Sequence, residues 1–335
     1  MPLNLASPGI VVREVDLTVG RVDTASDKVG ALVGPFAKGS VDLPILVENE
    51  QDLLDNFGQP YSADKHYEYW MTASSYLSYG GPLRVVRADD DDLKNAFAGT
   101  ASDIKIKSTE HYNDLGYDGS TITGVTVVAR NPGSWGNGLK VAIIDDLADQ
   151  ILTFSSLPSN IQVGFGITQS VPANTVVAGS GTTSLLTGFF KGIVTEVDST
   201  NKKVSVKILE SIDSAGVSTE VSYQPNGIYK FGNTGLTVRN NSGISTGTGT
   251  PTANVDWFDS QTIQLTNSTI NWNNIADRPG TSSFAEARNS RFDEVHVVVI
   301  DDLGEVTGNA GTILEKHLSL SKAKDGEYSL GSPSY

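Results

Sequence analysis

The serine in the sequence GISTG is the strongest candidate for a nucleophile in this chain. Gly243, Ser245 and Gly247 match the G-x-S-x-G pattern of a nucleophile elbow, in which a serine is exposed on a strained turn between a strand and a helix. Here the pattern lies in RNNSGISTGTGTPTAN, with no helix signal behind it. We therefore interpret it as a chance match and expect residues 239–254 to form a low-complexity, mobile loop.

Carboxylates and histidines do not form a recognisable metal-binding pattern. The histidines lack the H-E-x-x-H spacing of zinc sites. The four aspartates at residues 89–92 lack the alternating ligands and the glycine of a calcium loop, so we interpret them as a solvated turn. Asp114 and Asp118, in HYNDLGYDGS, predict turns between strands. The four histidines are His66, His111, His296 and His317.

Composition excludes several further classes of protein. The chain has 335 residues, a net charge of −15 and no cysteine. This length predicts two or more domains. The acidity argues against a nucleic-acid partner, which requires a basic face. The lack of cysteine excludes disulfide scaffolds and cysteine nucleophiles.

No signal peptide and no run of about 18 apolar residues are present, so we expect no membrane-spanning segment. No complete phosphate-binding motif occurs, and we expect no cofactor.

Residues 21–96 predict an α/β unit in which strands and helices alternate. VGALVGPF, DLPILVEN and PLRVVRA predict strands. Asn49 can cap a first helix, which Gly58 and Pro60 would end. A second helix is predicted from one apolar face, formed by Tyr67, Trp70, Met71, Ser74 and Leu77.

Residues 97–288 predict a large β-rich insertion, and one or two small β domains both remain open. The region is rich in Gly, Ser, Thr and Asn, and its helix signals are weak. Short strand candidates include ITGVTVVAR and LKVAIID. GFFKGIVTEVD and KKVSVKILE flank STNK and predict a hairpin. The whole chain is therefore predicted to be an α+β multidomain protein.

Residues 289–335 predict a return segment that begins with a strong strand over residues 292–302. In FDEVHVVVIDD, four consecutive apolar residues follow His296, and DLGEVTG then predicts a turn. The last residues give no strong helix or strand signal. Because the α/β unit that opens at Val29 is not completed, we expect further chain to follow Tyr335.

Residues 1–20 predict an extended N-terminal arm. They are rich in β-branched residues, and no second strand follows closely enough for a hairpin. An unpaired apolar strand is an aggregation hazard unless another sheet accepts it. Addition to a neighbouring copy would be head-to-tail, and such contacts repeat into rings or filaments. The residues alone indicate a polymerising structural protein, with folding back onto its own domain as the alternative.

Several segments, taken together and in order, resemble the N-terminal part of contractile-tail sheath proteins of bacteriophages. They are LASPGIVVREVD, NFGQP, LSYGGPLRVVRA, ARNPGSWGNGLKVAIID and IADRPGTSSFAEARNSRFDEVHVVVIDDLGEVTG. The PGSWGN core of the fourth contains Gly133, Trp135, Gly136 and Asn137. The RPGTS core of the fifth contains Arg278, Pro279, Gly280, Thr281 and Ser282.

This resemblance implies an inner α/β sheath unit, incomplete in this chain, with an extended arm and an outer β-rich insertion. It implies a structural role: hexameric rings stacked around a tail tube, which contract to drive the tube through the host envelope. The implied partners are other sheath subunits, the tube protein, the baseplate and the tail terminator. The implied location is the virion, after assembly in the host cytoplasm. The arm residues predicted to pair with a neighbouring subunit are Pro8, Gly9, Ile10, Val11, Val12, Arg13, Glu14, Val15 and Asp16.

Two other classes of function remain open at this stage. The polar β insertion could make the chain a surface adhesin that binds host glycans. An enzyme with a site that the motifs do not reveal is the second alternative, although we expect no activity from Ser245.

Overall fold

The computed structural model describes residues 29–60, 65–117, 121–171, 175–177, 184–186, 188–213, 215–329 and 331–334. The predicted arm strand, residues 8–16, lies outside these residues. The chain divides into two compact units, one that ends at Gly138 and one that begins at Leu139. The predicted domain boundary at 96/97 differs from this division, and the assignment of sheath domains stays a prediction.

The first unit begins with a three-stranded sheet and two helices. A pair of shorter strands and a third helix follow. Its elements are β1 (Gly30–Gly34), β2 (Ile45–Val47), α1 (Glu50–Phe57), α2 (Lys65–Ser78), β3 (Leu83–Arg87), β4 (Phe97–Gly99), α3 (Thr109–Asp114), β5 (Val125–Val128) and a 3-10 helix over Ser134–Gly138.

Strand β3 is the centre of the main sheet of this unit. It pairs parallel with β1 and antiparallel with β2. The Asn49 side chain accepts a hydrogen bond from the Asp52 backbone N–H at 2.9 Å and so begins α1. Gly58, with a φ of +79°, ends it. The strands, both helices and these helix ends are therefore confirmed. The apolar face predicted for α2 is wrong in part: Tyr67 and Met71 are exposed, and the buried residues of the helix are His66, Trp70, Ala73 and Leu77.

Close packing explains two glycines of β1. A Cβ added at Gly30 would lie 2.6 Å from the Tyr76 ring, and one added at Gly34 would lie 2.6 Å from Tyr69. Both tyrosines belong to α2, so the helix lies directly on the strand. The buried side chains of this layer are Phe36, Val47, Leu53, Phe57, Trp70, Ala73, Leu77, Leu83 and Val85.

The second unit is mainly antiparallel β structure. Its elements are β6 (Leu139–Asp145), β7 (Gln150–Phe154), β8 (Gly166–Ser170), β9 (Thr175–Val177), β10 (Ser184–Leu186), β11 (Phe189–Asp198), β12 (Lys203–Ile212), β13 (Ser218–Glu220), β14 (Leu236–Arg239), β15 (Ser245–Gly249), β16 (Pro251–Asp256), β17 (Thr262–Gln264), β18 (Thr269–Asn271), α4 (Ser283–Glu286), β19 (Glu294–Asp301), β20 (Thr312–Ser321), β21 (Glu327–Ser329) and β22 (Ser332–Pro333), with 3-10 helices over Phe258–Ser260 and Trp272–Asn274.

Eight of these strands form one antiparallel sheet that curls back towards itself. The order is β15-β14-β8-β11-β12-β7-β16, and β13 pairs with β12. Only Thr250 separates β15 from β16, the strands at the two ends of this order. The ends of the sheet are therefore joined by one nearly continuous stretch of chain, as at the corners of barrel-like sandwiches. The predicted β11–β12 hairpin is confirmed.

The prediction of a mobile loop over residues 239–254 is wrong, because β15 and most of β16 lie there. The glycines in this segment allow close packing. A Cβ at Gly247 would lie 2.6 Å from the Ser159 carbonyl oxygen, and one at Gly249 would lie 2.7 Å from Pro158. The intervening threonines are strand-forming residues, so a composition typical of a loop here forms an edge of the sheet.

A second prediction also fails. The segment that begins at His111 was expected to form turns, but α3 spans Thr109–Asp114. Its cap is Ser108, whose side-chain oxygen accepts a hydrogen bond from the His111 N–H at 3.2 Å. Asp118 lies outside the described residues.

Strands β6, β19 and β20 form a separate three-stranded antiparallel sheet, with β19 in the centre. The predicted strands over residues 139–145 and 292–302 are confirmed as β6 and β19. The eight-stranded sheet lies between them in the sequence. It begins and ends at neighbouring points, since Gln150 of β7 is paired with Asp256 of β16.

Two buried glutamines attach an irregular segment to the eight-stranded sheet. Gln150 accepts a hydrogen bond from the Phe231 N–H at 2.7 Å and donates to the Phe231 carbonyl at 3.1 Å. Gln169 accepts from the Gly232 N–H at 2.6 Å and donates to the carbonyls of Gly232 and Thr234. A side-chain amide offers a donor and an acceptor, so each glutamine satisfies the backbone as a neighbouring strand would.

We expect the substitution Gln150→Leu to lower the unfolding free energy of the second unit by about 2–4 kcal/mol, because a buried N–H and a buried C=O would lose their partners. Urea unfolding followed by hydrogen exchange of peptides around Phe231 would measure this. Gln51→Leu, on the exposed face of α1, is the matched control and should change stability by less than about 0.5 kcal/mol. Equal effects of the two substitutions would contradict the role of Gln150.

Candidate functional sites at the two landmark segments

The structure does not give Ser245 the surroundings of a nucleophile elbow. Ser245 is exposed at the start of β15. A turn leads into it from β14, and its backbone pairs with Arg239 of that strand. The elbow requires a strand followed by a helix, whereas Ser245 is the first residue of the second strand of a hairpin.

The aspartate run forms an exposed turn, as predicted, but its first member does more. Asp89 forms ion pairs with Lys105 and Lys107, both at 2.7 Å, and its side chain is 27% exposed. Lys107 also contacts Asp42 at 3.0 Å. Hydrogen bonds from the two lysines lower the pKa of Asp89 to about 2.

The histidines have separate structural contacts. His66 is buried and accepts a hydrogen bond from the Ala37 N–H at 2.8 Å. His296 is buried, contacts the Asp277 carbonyl at 2.9 Å and accepts from the Ser319 N–H at 2.9 Å. His317 is exposed beside Glu315. Within the residues that the structure describes, no three His, Asp or Glu side chains are grouped to hold a metal ion.

The PGSWGN segment of the first unit packs closely. Gly133 has a φ of +135°, and a Cβ there would lie 2.5 Å from the Ala37 carbonyl oxygen. At Gly136, a Cβ would lie 2.8 Å from the Cβ of Ala96. Any side chain at either position would therefore displace neighbouring atoms.

The two other landmark residues of this segment, Trp135 and Asn137, differ in their exposure to solvent. The partly buried Trp135 ring lies 5.6 Å from the Lys38 ammonium group, within the range of a cation–π contact. Asn137 lies on the 3-10 helix and is exposed. Only part of the motif is therefore required by packing within this unit.

Arg87 attaches this segment to the central strand. It is 3% exposed. Its guanidinium donates to the main-chain carbonyls of Phe36, Ala37, Gly39 and Pro132, at 2.5–3.2 Å. Burial lowers its pKa to about 10, and the charge of Asp89 opposes that shift. Sequence reasoning missed Arg87, because PLRVVRA predicts a strand and a landmark of the resemblance but gives no sign of a hydrogen-bonding role.

In the second unit, Arg278 of the RPGTS segment joins several elements. It donates to the Ala148 carbonyl at 3.1 Å and contacts Asp149 at 3.4 Å. It also forms an ion pair with Asp256, at the end of β16. The Tyr223 ring lies 5.0 Å from the guanidinium carbon. Arg278 therefore links the points at which the chain enters and leaves the eight-stranded sheet to the segment that leads to β19.

The following residues of the segment bind the start of β19. The Gly280 N–H donates to the Glu294 carboxylate at 2.8 Å. The Thr281 hydroxyl oxygen accepts from the Phe292 N–H at 3.0 Å. Pro279 lies between Arg278 and Gly280 in the wall of a cavity of about 650 Å³.

Ser282 and Asp293 complete this contact. The Ser282 N–H and hydroxyl both donate to the Asp293 carboxylate, at 2.8 and 2.6 Å. The Ser282 oxygen also accepts from the Ala285 N–H and so caps α4. A third bond to Asp293 comes from the Ser321 hydroxyl on β20 at 2.6 Å. Together these hydrogen bonds lower the pKa of Asp293, against the effect of burial.

Two buried aspartates, Asp146 and Asp149, line the same cavity as Arg278. Lys207 forms an ion pair with Asp146 at 2.6 Å and lies 3.8 Å from Asp149. Burial is the largest influence on this group: it raises the pKa of Asp149 and lowers the pKa of Lys207. The attraction between the opposite charges offsets only part of the free energy lost when these groups are removed from water. The ion pairs therefore join several segments but contribute little net stability.

The arrangement around the two landmarks is therefore structural. In each unit, a largely buried arginine and a set of main-chain hydrogen bonds fix a glycine-containing segment onto a sheet. The structure brings Arg278, Gly280, Thr281 and Ser282 together in the second unit. It places Gly133, Trp135 and Gly136 together in the first. Among the described residues, no helix is long and apolar enough to cross a membrane.

Comparison with known proteins gives matches of one kind. The chain is 39% identical over 95 residues to the tail sheath protein of Enterobacteria phage T4. It is 38% identical over 92 residues to that of Vibrio phage KVP40, and 31% identical over 118 residues to that of Salmonella phage ViI. No family profile matches the chain.

These matches confirm the resemblance to phage tail sheath proteins. They cover 28%, 26% and 35% of this chain. They cover 14%, 13% and 18% of the three relatives. The aligned part therefore spans less than a fifth of each relative.

We expect Arg87→Lys to lower the unfolding free energy of the first unit by about 2–4 kcal/mol, because an ammonium group cannot serve all the carbonyls that the guanidinium fork reaches. In a chain labelled with fluorotryptophan, the fluorine NMR signal of Trp70 follows the urea unfolding of this unit. Arg84→Lys, at an exposed position of the same strand, is the control and should stay within about 0.5 kcal/mol of the parent chain. The role of Arg87 would be refuted by a loss no larger than that of Arg84→Lys.

The Asp89 ion pairs make the first unit sensitive to acid. Because its pKa is lowered from 3.8 to about 2 in the folded chain, Asp89 stabilises the fold above pH 3.8, and this contribution is lost as the pH falls through about 2. We expect Asp89→Asn to flatten the decline of the urea midpoint over this range, followed through the same Trp70 resonance. Asp91→Asn, in the same exposed run, should retain the parent profile. Identical profiles for all three chains would show that the two lysines do not act through Asp89.

Proposed function

We propose that this chain, a relative of the phage tail sheath proteins, is a structural subunit that polymerises with copies of itself around a tail tube. The matches to three tail sheath proteins carry this proposal. We further propose stacked hexameric rings that contract to drive the tube through the host envelope. Other sheath subunits, the tube protein, the baseplate and the tail terminator are the proposed partners. Assembly is proposed to occur in the host cytoplasm, with no catalytic activity.

Features of the sequence and the structure support polymerisation. The β-branched sequence of residues 8–16 predicts a strand without a nearby hairpin partner in the sequence. The three-stranded sheets of both units end in edge strands with exposed apolar residues, such as Leu46 on β2 and Ile143 on β6. Exposed apolar strands at sheet edges are typical sites of strand addition.

The hydrogen bonds within each unit support a mechanism in which a subunit keeps its internal structure while its contacts with other subunits change. Arg87 and Arg278 fix irregular segments onto sheets by several hydrogen bonds each. A backbone ladder between an arm and a neighbouring sheet would persist while side-chain contacts between subunits are exchanged. Repeating subunits could then slide without dissociating. The glycan-binding alternative stays a prediction.

The test is to delete residues 1–20 from the complete protein. We expect the deletion to abolish polymers visible by electron microscopy, because the strand that links successive copies would be missing. Circular dichroism and thermal unfolding of the deleted chain establish that it still folds.

A Gly/Ser replacement of residues 23–28, with the arm strand retained, is the control and should still polymerise. Tubes formed by the chain without residues 1–20 would refute the arm as the link. Isolated particles from the intact protein would refute the sheath function itself.

A further inference from the structure

We propose that the side chains of Lys207 and Asp146 condense into an amide bond, and that the neighbouring Asp149 transfers the proton that this reaction requires. The product is an isopeptide within one chain, a covalent modification that needs no cofactor and no second protein. The inference goes beyond the proposed function and does not depend on it, because the reaction takes place inside a single copy.

Main-chain contacts hold the three side chains together where the segment between β6 and β7 meets β12. The Asp149 N–H donates to the Val206 carbonyl at 2.8 Å, and the Asp149 carboxylate accepts from the Ile208 N–H at 2.7 Å. These two hydrogen bonds lie on either side of Lys207 in the strand. The Lys207 ammonium group donates in turn to the Asp146 main-chain carbonyl at 2.7 Å. The amine and the two carboxyl groups are therefore positioned by the backbone.

The two groups that would react are already in contact. Lys207 Nζ lies 2.6 Å from Asp146 Oδ1, and the carbon that the amine would attack is bonded to that oxygen. Asp146 Oδ1 is buried and accepts no hydrogen bond of ordinary geometry from the described residues. Asp149 Oδ1 lies 3.8 Å from the same Nζ. Groups held in such proximity react as if at very high concentration, because no entropy is lost in bringing them together.

The surroundings favour the uncharged forms that amide formation requires. The three side chains are only 4–7% exposed, and the Phe292 ring lies 4.0 Å from Lys207 Nζ. Burial lowers the pKa of Lys207 and raises the pKa of Asp149, and it outweighs the attraction between the opposite charges. A desolvated lysine that has lost its proton is a good nucleophile, and a carboxyl group that keeps its proton can act as a general acid.

The reaction balances as the loss of one water molecule. The Lys207 ammonium first gives a proton to the Asp146 carboxylate, which leaves an amine and a carboxylic acid. The amine lone pair attacks the carboxyl carbon and forms the C–N bond. Asp149, in its acid form, gives its proton to the hydroxyl that leaves and recovers one from the attacking nitrogen. The C–O bond breaks, and water departs towards the cavity of about 650 Å³ that both aspartates line.

The bond would remove two charges from the interior. In the ion pair, attraction offsets only part of the cost of burial, whereas in the amide neither Lys207 nor Asp146 is charged. Asp149 still has the Arg278 guanidinium 3.4 Å away. A covalent link would then join β12 of the large sheet to the segment that follows β6.

The intact mass of the full chain, measured after unfolding, tests for the bond. We expect a mass lower than that of the sequence by one water molecule. Because trypsin does not cleave after an acylated lysine, we also expect no cleavage after Lys207 and a branched peptide that joins it to Asp146. Lys191 is the internal control, since it pairs with Glu210 on the same two strands but is exposed, and it should be cleaved. Full mass with cleavage after Lys207 would overturn the proposal.

Variants assign the roles of the three residues. Lys207→Met should restore the full mass, whereas Lys191→Met should keep the loss of water. Asp149→Asn can still accept from the Ile208 N–H but cannot transfer the proton, so we expect most of its chains to have the full mass. Circular dichroism and thermal unfolding establish that each variant folds. Loss of water from Asp149→Asn as complete as in the parent chain would refute the role of Asp149.

A succinimide, which also forms with loss of water where an aspartate precedes a glycine, as at Asp325 and Gly326, must be distinguished from the isopeptide. Mild base opens a succinimide and restores the mass, whereas an isopeptide persists. A mass loss that base reverses, or that maps to other residues, would overturn the proposal. Neither result bears on the polymerisation test with residues 1–20 deleted, so failure of this inference leaves the proposed function intact.

Discussion

Each unit depends on a guanidinium group that joins separate segments of the chain by several hydrogen bonds at once. In the first unit, Arg87 donates to carbonyls from residues 36–39 and from Pro132, and so joins two irregular segments to β3. Its four acceptors are main-chain oxygens, so the charge-assisted bonds act on the backbone itself. In the second unit, Arg278 divides its bonds between the Ala148 carbonyl and two carboxylates. The same residue type thus fixes loops in one unit, and in the other the points at which the chain enters and leaves the large sheet.

The remaining polar contacts follow from the need to satisfy irregular backbone inside a β structure. Gln150 and Gln169 supply paired donors and acceptors to residues 231–234, where no strand provides a ladder. Asp293 receives hydrogen bonds from Ser282 and from Ser321, so the start of β19 is bound to segments before and after it. These side chains allow long strands to be connected by segments that are neither helix nor strand.

Local signals in the sequence predicted the strands and helices of residues 29–88 and the strands β6, β11, β12 and β19, but not α3 or the long strand β20. The capping residue Asn49 and Gly58 placed both ends of α1, and the apolar run after His296 placed β19. The loop predicted over residues 239–254 failed because glycine and threonine were interpreted by composition, whereas close packing requires Gly247 and Gly249. The hydrogen-bonding roles of Arg87 and of Gln150 could not be predicted, since their partners lie 45 or more residues away in the sequence. The RPGTS core was recognised by resemblance alone, and its partner Asp293 carried no local signal.

The pairing of Gln150 with Asp256 has a consequence for how such a chain can diversify. The chain enters the eight-stranded sheet and leaves it at adjacent backbone positions, although more than a hundred residues lie between them. A body attached by two neighbouring points can be enlarged, shortened or exchanged for an unrelated one, because the span that its replacement must bridge is only the distance between paired strands. The surface of residues 150–256 can therefore change in size and composition while β6 and β19 keep their register.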